Sequence, residues 1–469
     1  MFEIAGIWSN RYQFLANFIE VLMGPKPVDE RSDHDLFRTE LVNLIDHRHE
    51  LVKLAELIDW QAFADEWSPQ FVSTTGRPAL PTRLMAALLY LKHVYALSDE
   101  DTVARWSENP YWQHFSGERY FRHDLPCDPS SLVRWRQRIG EAGCEWLLAQ
   151  SIAAATKGRV IKRASLDAVV LDTTVQPKAI AHPTDSRLLN RAREQLVDAA
   201  QNAGITLRQS YARVGKAAEH QAGRYAHARQ YRRMQREIRR LRTWLGRVIR
   251  DVQRKGGEIT GALKTRIEIA QRLYEQRRDS KNKLYALHAP EVECIAKGKA
   301  RTPYEFGVKV SVAVTAKEGL VVGMRSMPGN PYDGHTVDSQ LEQIEILSGV
   351  TPKIALVDRG YRGVEPLANT RLLVSHTRRL PRKLTKLLKR RQVVEPMIGH
   401  MKADGLLDRN WLKGALGDAM HAILCGAGHN LRMILAHLRG LYVALVAQLV
   451  LLLLITAPPQ RSSRRHASI

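Results

Sequence analysis

Apolar residues return at helical intervals along the first third of the chain. Leu36, Leu41, Leu44, Ile45, Leu51, Leu54, Leu57 and Ile58 recur with that spacing, and after Pro81 the residues Leu84, Ala87, Leu88, Leu91 and Tyr95 share one face. Residues 30 to about 160 are therefore predicted to be helices with short connectors. Ser98 followed by Asp99, Glu100 and Asp101 predicts an N-cap with an acidic first turn, suited to the positive end of a helix. After Asp128 and Pro129, Ser130 or Ser131 begins another helix, with Arg134, Arg136 and Arg138 interleaved among Leu132, Val133 and Trp135. Two helices and a turn leading to an Arg-rich helix have the outline of a helix-turn-helix.

The pattern then changes. Ala168, Val169, Val170 and Leu171 form a short β-prone run that Asp172 ends. From Glu305 to Val314 the valines at 308, 310, 312 and 314 alternate strictly. After a Lys317, Glu318, Gly319 turn, Leu320 to Met324 is the returning strand of a hairpin. A helix follows from Gly334 to Leu347, then a buried-strand run Ile354 to Val357 ending at Asp358, a last strand Leu372 to Val374, and one helix from about Pro381 to Lys402. This order predicts a mixed α/β sheet with helices on its faces. Between the first two strands lies an insertion, about residues 186 to 300. Within it Tyr231, Met234, Ile238, Leu241, Leu245, Val248 and Val252 are spaced alternately three and four apart, a coiled-coil seam. Gly256 and Gly257 break the seam, so a second helix from about Ile259 to Leu287 is expected to fold back as a helical hairpin.

Composition and charge narrow the function. With 469 residues the chain is long enough for about three domains. Its 44% hydrophobic and 25% charged residues exclude wholesale disorder. Lys and Arg number 71 against 48 Asp and Glu, a net charge of +23, which implies a polyanionic partner, nucleic acid first and an anionic membrane surface second. From Arg224 to Lys255 there are twelve Lys or Arg against two acids, Glu237 and Asp251. That bias exceeds what solubility requires, and phosphate contacts explain it better. Cys127, Cys144, Cys294 and Cys425 show no zinc-ligand spacing and no disulfide framework. The 17 residues from Leu441 to Ala457 hold only Gln448 as a strongly polar member. They fall short of the roughly 20 that a spanning helix needs, so a terminal helix packed on the core, or a tail altered by frameshift, is expected, and no membrane. Residues 1–24 lack the build of a signal peptide and read as a dispensable extension.

Three acids stand out by position. Asp172 and Asp358 each end an apolar strand-like run, where a carboxylate is costly to bury unless it is paired or bound to a metal. The carboxyl ends of strands are also where open α/β sheets place ligands. Glu395 lies on the later helix, with Arg391 four residues before it and Lys402 seven after, all on one helical stripe. An acid flanked by two bases suits a metal-bound phosphodiester with phosphate clamps.

These residues resemble the motifs of bacterial insertion-sequence DDE transposases, most closely the insertion-sequence-five type. Leu171 to Val175 is similar to the first acidic motif and Val357 to Gly363 to the second. Arg391, Glu395 and Lys402 are similar to the third, Y-x2-R-x3-E-x6-K, with Leu388 standing where the signature has tyrosine. The resemblance extends to Gly76 through Pro81 and to Pro328 through Thr336, and covers most of the chain from about Pro25 to Leu441. It implies an α/β fold with a ribonuclease-H-like mixed sheet core, an all-α N-terminal domain and the long helical-hairpin insertion. The expected organisation is an extension at 1–24, a DNA-binding domain at 25–160, and a core built from 161–185 and 301–440. A basic helical insertion at 186–300 and an apolar helix with basic tail at 441–469 complete it.

The activity implied is cleavage at the ends of an insertion sequence and joining of the 3′-hydroxyls to target DNA. Asp172, Asp358 and Glu395 are expected as catalytic metal ligands for two Mg²⁺ ions, with Mn²⁺ able to substitute; hard cations suit three acids and no Cys/His cluster. Asp172 is expected to bridge both ions, Asp358 to hold one and Glu395 the other. Arg391, Lys402, Arg134, Arg136, Arg232, Arg236 and Arg239 are the expected DNA-binding residues, with His335 a weaker candidate near the site. The partners implied are the element's terminal repeats and target DNA, in a homodimer or larger assembly in the bacterial cytoplasm, associated with the nucleoid. A ribonuclease-H-like nuclease without strand transfer and a catalytically silent DNA-binding protein are the alternatives.

Overall fold

The computed structural model describes residues 39–71, 78–256, 259–296, 303–365, 369–377 and 379–456. The extension at 1–24, Gly76 and Arg77, and the tail from 457 onward lie outside the described residues. The N-terminal region is helical, as its periodicity predicts: α1 (Glu50–Leu57), α2 (Trp60–Trp67), α3 (Thr82–Val94), α4 (Asp99–Glu108), α5 (Pro110–Phe115) and α6 (Pro129–Lys157). Ser98 caps α4, its hydroxyl accepting from the Asp101 N–H at 2.9 Å. The cap of α6 is Asp128, which accepts from the Ser130 N–H at 2.9 Å and leaves Pro129 in the first turn. The helix thus begins at Pro129, ahead of the expected Ser130 or Ser131, because proline has no N–H to leave unsatisfied at that position. Inside α6, Gly140 takes φ +62°, a conformation that favours glycine, and bends the helix there. The apolar face expected for α3 widens to most of the helix, with Met85, Ala86, Leu89 and Tyr90 buried as well, whereas Tyr95 just past its end is exposed.

One six-stranded sheet follows, formed by β1 (Ala168–Pro177), β2 (Glu293–Ala296), β3 (Tyr304–Thr315), β4 (Val321–Met327), β5 (Ile354–Val357) and β6 (Arg371–Val374). β3 lies antiparallel to β1, with Asp172 opposite Val312. The other edge of β3 pairs antiparallel with β4 and, further along, with β2. β5 runs parallel to β1 and β6 parallel to β5. The expected hairpin, turn and two later strands are all present. β1 continues five residues past Asp172, which therefore sits in the middle of the strand and does not end it. At its far end Gly307 faces Pro177; a Cβ there would lie 2.0 Å from the Gln176 carbonyl oxygen, so the close approach requires glycine.

The segment expected as a helical hairpin is a four-helix unit: α7 (Asp185–Asn202), α8 (Ala212–His227), α9 (Tyr231–Lys255) and α10 (Gly261–Glu275). The α9 seam from Ile238 to Val252 is buried against Leu189 and Leu196 of α7, Ala218 of α8 and Ile267 of α10. A three-four spacing reports an apolar stripe without saying how many helices share it, and here the stripe is used up inside the unit. The chain then returns through β2.

Beyond β4 come α11 (Val337–Ser348), α12 (Arg382–Leu388), α13 (Val394–Asp404) and α14 (Gly414–Thr456). One continuous apolar core joins the N-terminal helices, the sheet and the first part of α14. Asn430 of α14 is fully buried at their junction, pairing with both backbone groups of Val321 at 2.8 Å and donating to Ser151 Oγ at 3.0 Å. Its amide thus ties α14, β4 and α6 together with no polar group left unpaired. Among the described residues no helix is long and apolar enough to cross a membrane.

Candidate active site

Parallel pairing of β1 and β5 decides where the first two acids go. Val170 is level with Leu356, and side chains alternate faces with a period of two. Asp172 and Asp358, two residues further along each strand direction, therefore stand side by side on one face. Asp172 is half-buried, and its Oδ1 accepts from the Thr173 N–H at 2.8 Å. Asp358 caps a single 3-10 turn, Arg359–Tyr361, with Oδ1 accepting from the Gly360 N–H at 2.7 Å.

The third element departs from the expected single helix. α12 ends at Leu388, a 3-10 stretch covers Lys389–Val393, and α13 starts afresh at Val394. Pro396 is the cause: it has no N–H to donate to the residue 392 carbonyl, and its ring crowds that carbonyl, so a regular helix cannot run through. Glu395 falls in the first turn of α13, which packs against β1. Arg391, at the 3-10 break, donates to Glu395 Oε1 at 3.2 Å. The Glu395 side chain is 63% exposed and that of Arg391 only 20%. Lys402 is half-buried in the last turn of α13, and Leu388 packs on the core.

Burial, with the carboxylates of Asp358 and Glu395 adding to it, pushes Asp172 up to about 6; the Thr173 N–H and Arg391 pull the other way. Asp358 and Glu395 are therefore each near enough to disfavour the charge on Asp172. The hard oxygen donors of these acids suit Mg²⁺, and such repulsion is what a divalent cation relieves. As the side chains stand, no three His, Cys, Asp or Glu among the described residues are placed to hold an ion together, and Glu395 is engaged with Arg391.

A fourth acid, Asp333, joins this neighbourhood from the 3-10 turn Asp333–Thr336. Its Oδ1 accepts from Thr173 Oγ1 at 3.0 Å and from Lys309 Nζ at 2.9 Å. Burial, and then Asp172, Asp333 and Asp358, raise the phenol of buried Tyr361 well above its ordinary value. Asp333 belongs to the Pro328 to Thr336 motif, but proximity to the acids was not legible there. His335, the candidate from that motif, is exposed and edges onto Tyr332.

The expected DNA-binding residues divide. Arg136 is 2% exposed and makes a two-pronged pair with Asp99 at 2.7 and 2.6 Å, so it is a core residue and not a DNA contact. An arginine every second position on a helix must alternate between outside and inside, which sequence alone does not assign. Arg134 is exposed, donating to Ser130 Oγ at 3.0 Å. Arg232, Arg236 and Arg239 project from the exposed face of α9. There Arg236, Arg239, Arg240 and Arg247 surround Trp244 in a surface hollow of about 420 Å³. Arg240 lies over the Trp244 ring at 5.1 Å, and Tyr211 stacks on it at 5.8 Å.

Comparison with known proteins bears on this arrangement. Residues 39–138 match the family described as "Transposase domain (DUF772)", and residues 277–425 match "Transposase DDE domain". The second match spans Asp358, Glu395 and Asp333. A Rhizobium meliloti protein described as "Uncharacterized protein ORF8 in nfe locus" is 53% identical over 198 residues, 42% of this chain and 95% of that protein. No solved structure matches the chain.

Proposed function

We propose that the chain is a bacterial DDE transposase, the reading its two transposase-domain matches support, and that it excises and inserts its own insertion sequence, of the insertion-sequence-five type, with the help of divalent metal ions. The observation that carries this reading is the meeting of Asp172 and Asp358 at the junction of parallel β1 and β5, with Glu395 close enough to disturb Asp172. The sheet order, with β4, β3 and β1 antiparallel and β5 and β6 parallel beyond, supports a ribonuclease-H-like core.

Asp172, Asp358 and Glu395 would hold two Mg²⁺ ions, with Mn²⁺ able to substitute; Asp172 would serve both, Asp358 one and Glu395 the other. Bound there, the metal stabilises both the attacking and the leaving oxygen. Glu395 has to leave Arg391 to take this role, which releases the guanidinium to a DNA phosphate; Lys402, two turns along the same stripe, clamps a second. In the first step a water oxygen bonds to phosphorus at the element's end and the bond to the 3′ oxygen breaks. The freed 3′-hydroxyl then attacks a target phosphodiester, displacing the target's own 3′ oxygen. Joining two ends to one target favours a dimer or larger assembly, acting at the nucleoid.

Arg134, Arg232, Arg236 and Arg239 lie along the DNA. Replacing Arg236 and Arg239 together by alanine is expected to reduce the slope of log affinity against log salt by about 2, since each phosphate contact contributes about 0.9. An unchanged slope in filter-binding titrations would remove the α9 ridge from the interface.

The reading as a whole is tested with labelled duplexes carrying the element's ends, incubated with and without Mg²⁺. Cleavage at the ends with joined products supports a transposase. Cleavage without joining would point to a plain nuclease, and tight binding without cleavage to a DNA-binding protein with a silent core.

A further inference from the structure

The open space at Gly360 borders two carboxylates, those of Asp358 and Asp333. A Cβ at this glycine would lie 2.9 Å from Asp358 Oδ1 and 3.2 Å from Asp333 Oδ2. The turn holding Asp333 packs against the turn that follows Asp358. Two carboxylates this near cost free energy unless something offsets their charge. For Asp333 that is Lys309, whose Nζ donates to Oδ1 at 2.9 Å and to the Pro331 carbonyl at 2.7 Å, with a side chain only 14% exposed. Thr173, the neighbour of Asp172 on β1, donates to the same Oδ1. Asp333 is thus clamped through one oxygen, and the other faces the Asp358 turn.

A carboxylate neutralised by a lysine and already accepting twice on one oxygen is a poor direct ligand. It is well suited to accept from water, and Mg²⁺ keeps several waters when carboxylates bind it. We propose that Asp333 is a positioning residue for the metal-binding acids, its Oδ2 accepting a hydrogen bond from water on a cation held by Asp172 and Asp358. This rests on the reading of those two acids given above. Lys309 serves the same end by keeping Asp333 in place, and Gly360 by leaving the space between the carboxylates open.

The test is calorimetric titration of MgCl₂ alone, without DNA, into the full chain and its Asp333→Asn, Lys309→Met and Asp172→Asn variants, beside melting temperatures measured without metal. Asparagine keeps the oxygen that accepts from Lys309 and Thr173. Asp333→Asn is therefore expected to weaken Mg²⁺ binding about tenfold, the lower end of outer-partner effects, with little change in the metal-free melting temperature. Lys309→Met is expected to weaken binding and also to lower that temperature. Affinity within twofold of wild type in Asp333→Asn overturns the proposal while leaving the metal site intact. A fall in metal-free melting temperature as large as that of Lys309→Met makes Asp333 a fold staple and overturns it too. A wild-type chain that takes up no more Mg²⁺ than Asp172→Asn overturns both this inference and the reading beneath it.

Discussion

Asp172→Asn should abolish metal-dependent DNA cleavage and, in the same protein, raise the stability of the metal-free fold. The two effects share one cause. Folding carries this carboxyl from its ordinary 3.8 to about 6, chiefly by burial and then by Asp358 and Glu395. At about 1.4 kcal/mol per unit, the ionised form costs the native state about 3 kcal/mol. Because the folded value is the higher one, the cost is absent below about pH 4, where both states are protonated. It grows as pH rises to about 6 and is constant above. The asparagine variant should therefore melt higher than wild type at pH 7.5 without metal and alike at pH 4. Cleavage should fall by about a thousandfold or more, roughly 4 kcal/mol of lost transition-state stabilisation, since amide oxygen is a weak substitute for a bridging carboxylate. Scanning calorimetry at the two pH values and a single-turnover cleavage assay read the two halves. Equal stability at pH 7.5 would show that neither burial nor its neighbours make the ionised Asp172 costly, and retained cleavage would take it out of the chemistry.

Asp99→Ala should be among the most destabilising single changes in the N-terminal helices, at about 3–5 kcal/mol. Burial works against the Asp99 charge, but Arg136 and Lys92 together hold its carboxyl below the usual range. Arg136 grips both oxygens and Lys92 Nζ donates at 2.7 Å. Removing the acid leaves two cations facing each other, their side chains 2% and 12% exposed, with no counter-charge. Replacing all three residues by apolar ones of similar volume should recover much of the loss, because the pair's own desolvation cost also disappears. Urea denaturation measures both; a cost below about 1 kcal/mol for Asp99→Ala would mean water reaches the cluster. Arg136→Met should lower stability and leave the salt dependence of DNA binding unchanged, the opposite of what Arg236 and Arg239 are expected to show.

Much of the fold was legible because local rules suffice for it. Valines alternating at 308 to 314 can bury one face only as a strand, Gly319 at φ +81° closes the hairpin after them, and Ser98 caps α4 from its own side chain. The misreadings have physical reasons as well. The break at 389–393 follows from Pro396, visible in the sequence but outweighed by the stripe through Arg391, Glu395 and Lys402. The α9 seam gave the direction of an apolar stripe without the number of helices it meets. Asp172 looked like the end of a strand because polarity changes there, yet backbone pairing with β3 carries β1 on to Pro177.

Residue type and spacing alone determined that three acids and a basic excess of +23 belong to one chain, and that these acids fall at or just after strand-like runs and on a helix. Those properties are carried by each residue and its near neighbours. Only the tertiary structure decided which charges meet: Asp172 beside Asp358 through the parallel register, Asp333 drawn in by Lys309, and Arg136 turned inward to Asp99 while Arg236 and Arg239 face outward. Such choices depend on contacts between segments distant along the chain, such as β1 with β5 and Thr173 with Asp333, the latter 160 residues apart. The free energy of each contact is set by burial and distance, which no run of neighbouring residues specifies.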